Sequence, residues 1–369
     1  MQKLLPKHQL KRPLQLKLLL RRPQQRRLLQ PKPKHLLKRP LLKKQQLKSL
    51  LQRQQAKRLL LRRQLLRSLQ PRKSQRPKQD QFMSTPAGLP GGLTRFRINL
   101  AYDGTDFVGW AKQPGLRTVQ GELLSALSTI FGPSADDFGM RVAGRTDAGV
   151  HAGFQVCHID ITEEQLVRLG RAPFSASRLD GLLPEDIAII EILEAPYGFD
   201  ARFSATGRTY HFGIADPACK PDPKQARYVL AVSRRLDETL MDAAGKSLVG
   251  LRDFGSFCKP REGATTIREL RQLSVLREQD GRILVTLSAD AFCHNMVRSI
   301  VGALIAVGEG KLSMDELGEI TKATKRTSKF KVVDPRGLSL DDVQYPEDDQ
   351  LAAQAEKARN LRSDEDISV

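Results

Sequence analysis

The sequence predicts an α+β protein: two related α/β units with mainly antiparallel sheets and helices on one face, behind a disordered basic N-terminal tail. Three observations carry that prediction. Short runs with strand-like alternation recur from Arg95 onward, and two of them flank a hairpin turn at Asp280-Gly281. Helical stripes interrupt these runs irregularly, which disfavours a regular parallel βαβ design. The first 82 residues have a different texture altogether.

That tail comes first in the chain. It holds 26 of the 61 Lys and Arg residues and a single acid, Asp80, for a net charge of +25, leaving −5 for the remainder. The overall +20 is therefore no evidence that the folded part binds nucleic acid. Up to Gln81 there is no Gly, aromatic residue, Val or Ile, and eight prolines interrupt most candidate helices. Only Leu41 to Leu69 is free of proline and could form a basic amphipathic helix. Repulsion among like charges predicts disorder over residues 1–90. Met83-Ser84-Thr85-Pro86 looks like a natural start just ahead of the first strand, so the leading expectation is upstream sequence taken in by too early a start codon. An RNA-binding extension is the second reading, because each neutralised phosphate releases counterions. A transit peptide is the third, against which stand its length, its many Gln and its few Ser.

The first globular unit is placed at residues 91–204. Arg95 to Tyr102 alternates like a strand and turns at Asp103-Gly104. Thr118 can cap a helix with Glu122 in its first turn and Leu123, Leu124, Leu127 and Ile130 as its apolar stripe. One strand ends near Val142, another covers Phe154 to Ile161, a helix begins near Thr162, and Ile187 to Leu193 is a buried strand. The second unit, residues 205–347, repeats the rhythm. It has a strand at Arg208–Ala215, a helix at Asp237–Leu248, the hairpin Leu270–Arg277 and Arg282–Ala289, helices at His294–Val307 and Met314–Ala323, and a last strand at Leu338–Tyr345. Residues 348–369 read as a loose polar tail.

Four cysteines, Cys157, Cys219, Cys258 and Cys293, show no Cys-x-x-Cys pair, and no paired histidine spacing accompanies them. This argues against a zinc site and a disulfide framework and fits a reducing compartment. No segment approaches the roughly 18 consecutive apolar residues that span a membrane, so the chain reads as soluble. Asp103 and Asp106 beside Trp110 lack a third ligand and make a poor metal site.

The most informative stretch is Gly144-Arg145-Thr146-Asp147-Ala148-Gly149-Val150-His151-Ala152. One carboxylate stands between two glycines on a turn, where it can be held rigidly while a substrate approaches the backbone. Arg145 can keep Asp147 ionised, contact a phosphate or stack on a base. Alone, an ordinary hairpin turn with an ion pair is the alternative reading of this run.

Other segments line up with it. They are Tyr102 to Trp110, Thr118-Val119-Gln120, Leu182 to Ile187, Phe199 to Ala205, Arg208-Thr209-Tyr210, Asp253-Phe254 with Ser256-Phe257, Ala291-Phe292, Met296 to Gly302, Gly337-Leu338 and Tyr345-Pro346. With these motifs in this order, residues 93–346 resemble the TruA-type tRNA pseudouridine synthases. The resemblance implies isomerisation of uridine to pseudouridine at positions 38, 39 and 40 of the tRNA anticodon arm, without cofactor or metal, by a cytoplasmic homodimer whose paired subunits form the RNA cleft. It also implies that the two sheets join centrally.

It further implies roles for single residues. Asp147 matches the catalytic aspartate, and an ionised carboxylate suits the chemistry either as a nucleophile or as acceptor of a ribose proton. Arg145 would pair with it and help displace the target base from the stack. Tyr210 matches the tyrosine that packs on the uracil, although an aromatic on a strand is more often core. Arg298 would line the cleft or sit at the rim of an apolar helix face. Arg202 and Arg208 are candidate phosphate contacts, with a solvated face as the alternative. His151 reads as a hydrogen-bonded structural residue, and Leu304 as pocket floor or core. Asp180, Arg252 and Cys293 depart from the family pattern; Asp180 would add an acid near the cleft. An idle RNA-binding protein on the same scaffold is the rival reading, and activity residing in the basic tail is a third.

Overall fold

A computed structural model describes residues 92–367 except 171, 262, 263, 324, 361 and 363. The expectations for residues 1–90 lie outside the described residues. The strands are β1 Leu93–Tyr102, β2 Arg141–Val142, β3 His151–Thr162, β4 Ile187–Glu194, β5 Gly207–Ala215, β6 Leu230–Ala231, β7 Gly250–Asp253, β8 Ile267–Arg277, β9 Ile283–Ala289 and β10 Leu338–Gln344. They form one sheet in the order β4-β1-β3-β10-β5-β9-β8-β7, with β2 on β3 and β6 on β5. The expected α+β class with mainly antiparallel pairing is what the chain adopts. Neighbours along that order are antiparallel except at the middle, where β3 and β10 run parallel through Ser339 opposite His151 and Leu340 opposite Ala152. That short seam joins the two halves into a single sheet, and it adjoins the end of the Gly144–Ala152 motif.

The helices are α1 Val119–Phe131, α2 Glu163–Arg168, α3 Ala176–Asp180, α4 Glu238–Ser247, α5 Met296–Gly308, α6 Met314–Lys322 and α7 Leu351–Lys357. Their starts follow local chemistry. Thr118 accepts the Gly121 N–H at the head of α1, whose buried face includes Leu123, Leu124, Leu127 and Ile130. Thr162 and Gln165 form a reciprocal capping box on α2. Asp237 accepts the N–H groups of Thr239 and Leu240 to start α4. α5 is buried nearly all round, with only Arg298 and Ile305 less than fully covered, so it is a core helix rather than a surface one.

Three expectations are corrected. The helix read from His294 begins at Met296, because Asn295 is left-handed with φ 66° and breaks the helical path. The segment after Pro346 is not loose throughout: Leu351 and Ala355 are buried and form the inner face of α7. Cys258 and Cys293 are joined in a disulfide with Cα atoms 5.8 Å apart, a long-range pairing that their spacing does not reveal. Among the described residues, no helix is long and apolar enough to cross a membrane.

Candidate active site

Residues 143–150 connect β2 to β3, and buried groups fix this loop on several sides. Gln155, fully buried on β3, donates from Nε2 to the Gly144 carbonyl at 2.8 Å and to the Tyr102 hydroxyl at 3.2 Å. The Tyr102 hydroxyl also shares a hydrogen bond with Thr146 Oγ1 at 2.7 Å. Burial pushes the Tyr102 hydroxyl up to about 12, so it remains a donor at neutral pH. The Thr146 carbonyl accepts the Trp110 N–H at 3.0 Å, and Gly149 donates to the Phe107 carbonyl at 3.2 Å. Gly109, at φ 90°, is what permits this approach: a Cβ there would lie 3.0 Å from the Thr146 oxygen and 3.2 Å from the Ala148 nitrogen.

Alternation along the loop then decides which groups reach solvent. Arg145 is exposed, Thr146 is buried, and Asp147 is partly open with 37% of its side chain exposed. Arg145 forms no ion pair among the described residues, so the expected Arg145–Asp147 pair is corrected. An arginine and a histidine bracket the carboxylate instead. Arg298 Nη1 lies 3.6 Å from Asp147 Oδ2, and His294 Nε2 lies 3.7 Å from Oδ1. Arg298 is itself steadied by Nε, which donates to the Val333 carbonyl at 2.8 Å. Of the two readings of Arg298, rim or cleft, the side chain reaches the central carboxylate.

Tyr210 lies beneath the same loop on β5. Its ring meets Phe292 edge-on at 5.0 Å, and its hydroxyl would be 3.8 Å from a Cβ on Gly144. Burial, with a smaller push from the negative charge on Asp147, raises its pKa, so the phenol stays protonated. Tyr210 is thus buried under the loop that carries Asp147.

Arg208 is neither a solvated residue nor free for a phosphate, which corrects both readings of it. It is buried, and its terminal nitrogens donate to the carbonyls of Ala205, Asp290, Ala143 and Arg202 at 2.7–3.3 Å. It ties the stem of the Asp147 loop to two neighbouring segments from below. Arg202 has no ion pair among the described residues, and burial followed by the charges of Arg145, Arg261 and Arg141 lowers its pKa. His151 is structural, as read: Nδ1 accepts the Gly104 N–H at 3.0 Å, so Nε2 carries the proton and donates to the Arg336 carbonyl at 3.1 Å. Leu304 is fully buried in the core. Asp180 accepts the Ile189 N–H at 2.8 Å, which makes it a brace for β4 and not an acid aimed at the loop. Arg252 is exposed. Asp103 and Asp106 are both paired with Arg227.

Sequence reading missed His294. Its spacing to Arg298 gave no usable signal, because left-handed Asn295 separates His294 from the helix that carries Arg298.

The loop, held by buried hydrogen bonds, presents one part-exposed carboxylate between Arg298 and His294, beside a buried tyrosine. Residues 244–346 match the family model described as tRNA pseudouridine synthase. A tRNA pseudouridine synthase A from Leifsonia xyli is 48% identical over 282 residues, covering 73% of this chain and 98% of the relative. Those of Streptomyces avermitilis and Mycobacterium leprae are 47% and 46% identical, over 74% and 73% of this chain and 95% and 96% of their own lengths. The chain belongs to the tRNA pseudouridine synthase A family.

Proposed function

We propose that this chain isomerises uridine to pseudouridine at positions 38, 39 and 40 in the anticodon arm of tRNA, with Asp147 as the catalytic carboxylate. Family membership supplies the coarse part, an isomerase acting on tRNA uridine. The positions follow from the family resemblance, and the observation that supports the role of Asp147 is its setting: partly exposed, on a loop anchored by buried hydrogen bonds, with Arg298 near one carboxylate oxygen and His294 near the other. In the reaction the N1–C1′ bond breaks, the uracil turns, and C5 bonds to C1′; a proton leaves C5 and one is gained at N1. This is redox-neutral, so the proposal includes no cofactor. Asp147 acts either by attacking C1′ or by taking a ribose proton, and both routes need it ionised.

A uridine in a stem must leave the stack before it can reach the loop, and the exposed Arg145 is the group we assign to displacing it. Tyr210 packs on the extruded base, where one aromatic face is worth about 1–3 kcal/mol. Arg298 holds the charge of Asp147, while Arg208 supports the loop from beneath rather than touching RNA. We further propose a cytoplasmic homodimer whose paired subunits form the RNA cleft. The test is pseudouridine mapping in unmodified tRNA treated with the full chain and with Asp147→Asn. Modification at 38–40 by the first, and a loss of about 10²–10⁴-fold in the second, is expected. Modification that survives Asp147→Asn, or appears elsewhere, overturns the reading.

A further inference from the structure

We propose that His294 is a positioning residue for Asp147, fixing the plane of its carboxylate while Arg298 stabilises its charge. The proposal rests on the reading of Asp147 as the catalytic group. A carboxylate turns easily about its Cβ–Cγ bond, because that torsion is broad and roughly two-fold. A single cation favours the ionised form without choosing an orientation. Here each oxygen has its own partner: Arg298 Nη1 at 3.6 Å from Oδ2 and His294 Nε2 at 3.7 Å from Oδ1. Polar groups facing opposite oxygens favour one orientation of the carboxylate over its rotated forms. Both distances exceed hydrogen-bond length, so the oxygens are aimed without being clamped, and each keeps lone pairs for a reacting atom.

The backbone around His294 is built to hold the imidazole there. Its carbonyl accepts the Lys259 N–H at 2.9 Å, and the preceding Cys293 is tied to Cys258. The Cys293 carbonyl accepts the Met296 N–H at 3.0 Å, and Asn295 takes the left-handed conformation between them. This turn sets His294 just ahead of α5 while Arg298 stands in the first turn of that helix. Packing does not require the ring, since 46% of the side chain is exposed. An imidazole kept half in solvent beside the one carboxylate of the site is explained by what it does to that carboxylate.

The test compares the full-length wild type with His294→Ala and His294→Gln, reading single-turnover pseudouridine formation at saturating enzyme and, separately, the Kd for tRNA. Losing an orienting partner costs about 10–100-fold in rate. The expected result for His294→Ala is a drop of that size with Kd changed less than about twofold and an unchanged melting temperature. His294→Gln, which keeps an N–H donor, recovers most of the rate. Three results overturn the proposal: a saturated rate in His294→Ala within twofold of wild type, a loss confined to Kd, or no advantage of Gln over Ala. A wild-type chain that forms no pseudouridine overturns the functional reading itself, and this inference with it.

Discussion

Removing the Tyr102 hydroxyl should loosen the Asp147 loop without touching Asp147. In Tyr102→Phe the ring stays in the core, but Gln155 loses one of its two Nε2 acceptors and Thr146 loses its partner. A buried hydrogen bond contributes about 0.5–1.5 kcal/mol, and an orphaned buried group costs about 1–3 kcal/mol. Gln155 keeps the Gly144 carbonyl and the Thr146 hydroxyl can rotate, so no group is orphaned and the loss is that of two hydrogen bonds, about 1–3 kcal/mol in total. For a domain of this size that is a fall of about 2–5 °C in melting temperature. Freed from Tyr102, Thr146 can carry Asp147 away from His294 and Arg298, and a displacement near 1 Å costs about 100-fold in rate. Thermal unfolding and single-turnover pseudouridine formation measure both effects. Thr146→Val should have a similar cost, and the double variant should be little worse than either single, because all three lose the same bond. Full additivity, or a Tyr102→Phe enzyme with unchanged rate, would refute the anchoring argument.

Arg208→Met leaves the carbonyls of Ala143, Arg202, Ala205 and Asp290 without this donor, and at about 1–3 kcal/mol for a buried group left unsatisfied a clear destabilisation is expected, seen as poor soluble yield and a lowered urea midpoint. The fraction that folds should bind tRNA with a Kd like that of wild type; selective loss of binding would restore Arg208 as an RNA contact. His211 Nδ1 donates to Asp341 Oδ2 at 2.5 Å, and this bond raises the His211 pKa above 6.5. Burial pushes Asp341 up, but the hydrogen bonds from His211 and Ser339 outweigh it and leave its pKa below 3.8. The histidine's contribution is complete below about pH 6.5 and lost as pH rises through its raised value; the aspartate's is complete above about pH 4 and lost as pH falls. Urea unfolding should therefore separate wild type from His211→Gln more at pH 5.5 than at pH 8.5. Equal separation at the two pH values would count against the pair.

What was legible in the sequence was what neighbours along the chain decide. Thr118 and Thr162 mark helix starts because the groups they cap lie within three residues, and Asp280-Gly281 marks a hairpin because the turn sets the register of β8 on β9. Asp147 was legible for the same reason, as a short acid on a glycine-bounded turn. Its partners were not, because the nearest base in sequence is not the nearest in space. Arg145 stands two residues away, yet alternation along the loop sends its side chain outward while Thr146 is drawn in to Tyr102. The side chains nearest Asp147 come instead from the far half of the chain, His294 on the turn before α5 and Arg298 on its first turn. Arg208 was misread because an arginine with no acid beside it in sequence resembles a surface cation, and the four carbonyls that surround it come from separate segments. Both errors have their origin at the seam between the halves. There β10 runs beside β3, the Arg336 carbonyl accepts from His151, and Pro335 packs where a side chain on Gly149 would be. The first half thus supplies the acid and the second supplies Tyr210, His294 and Arg298, so the candidate site exists only once the sheet has closed across its middle.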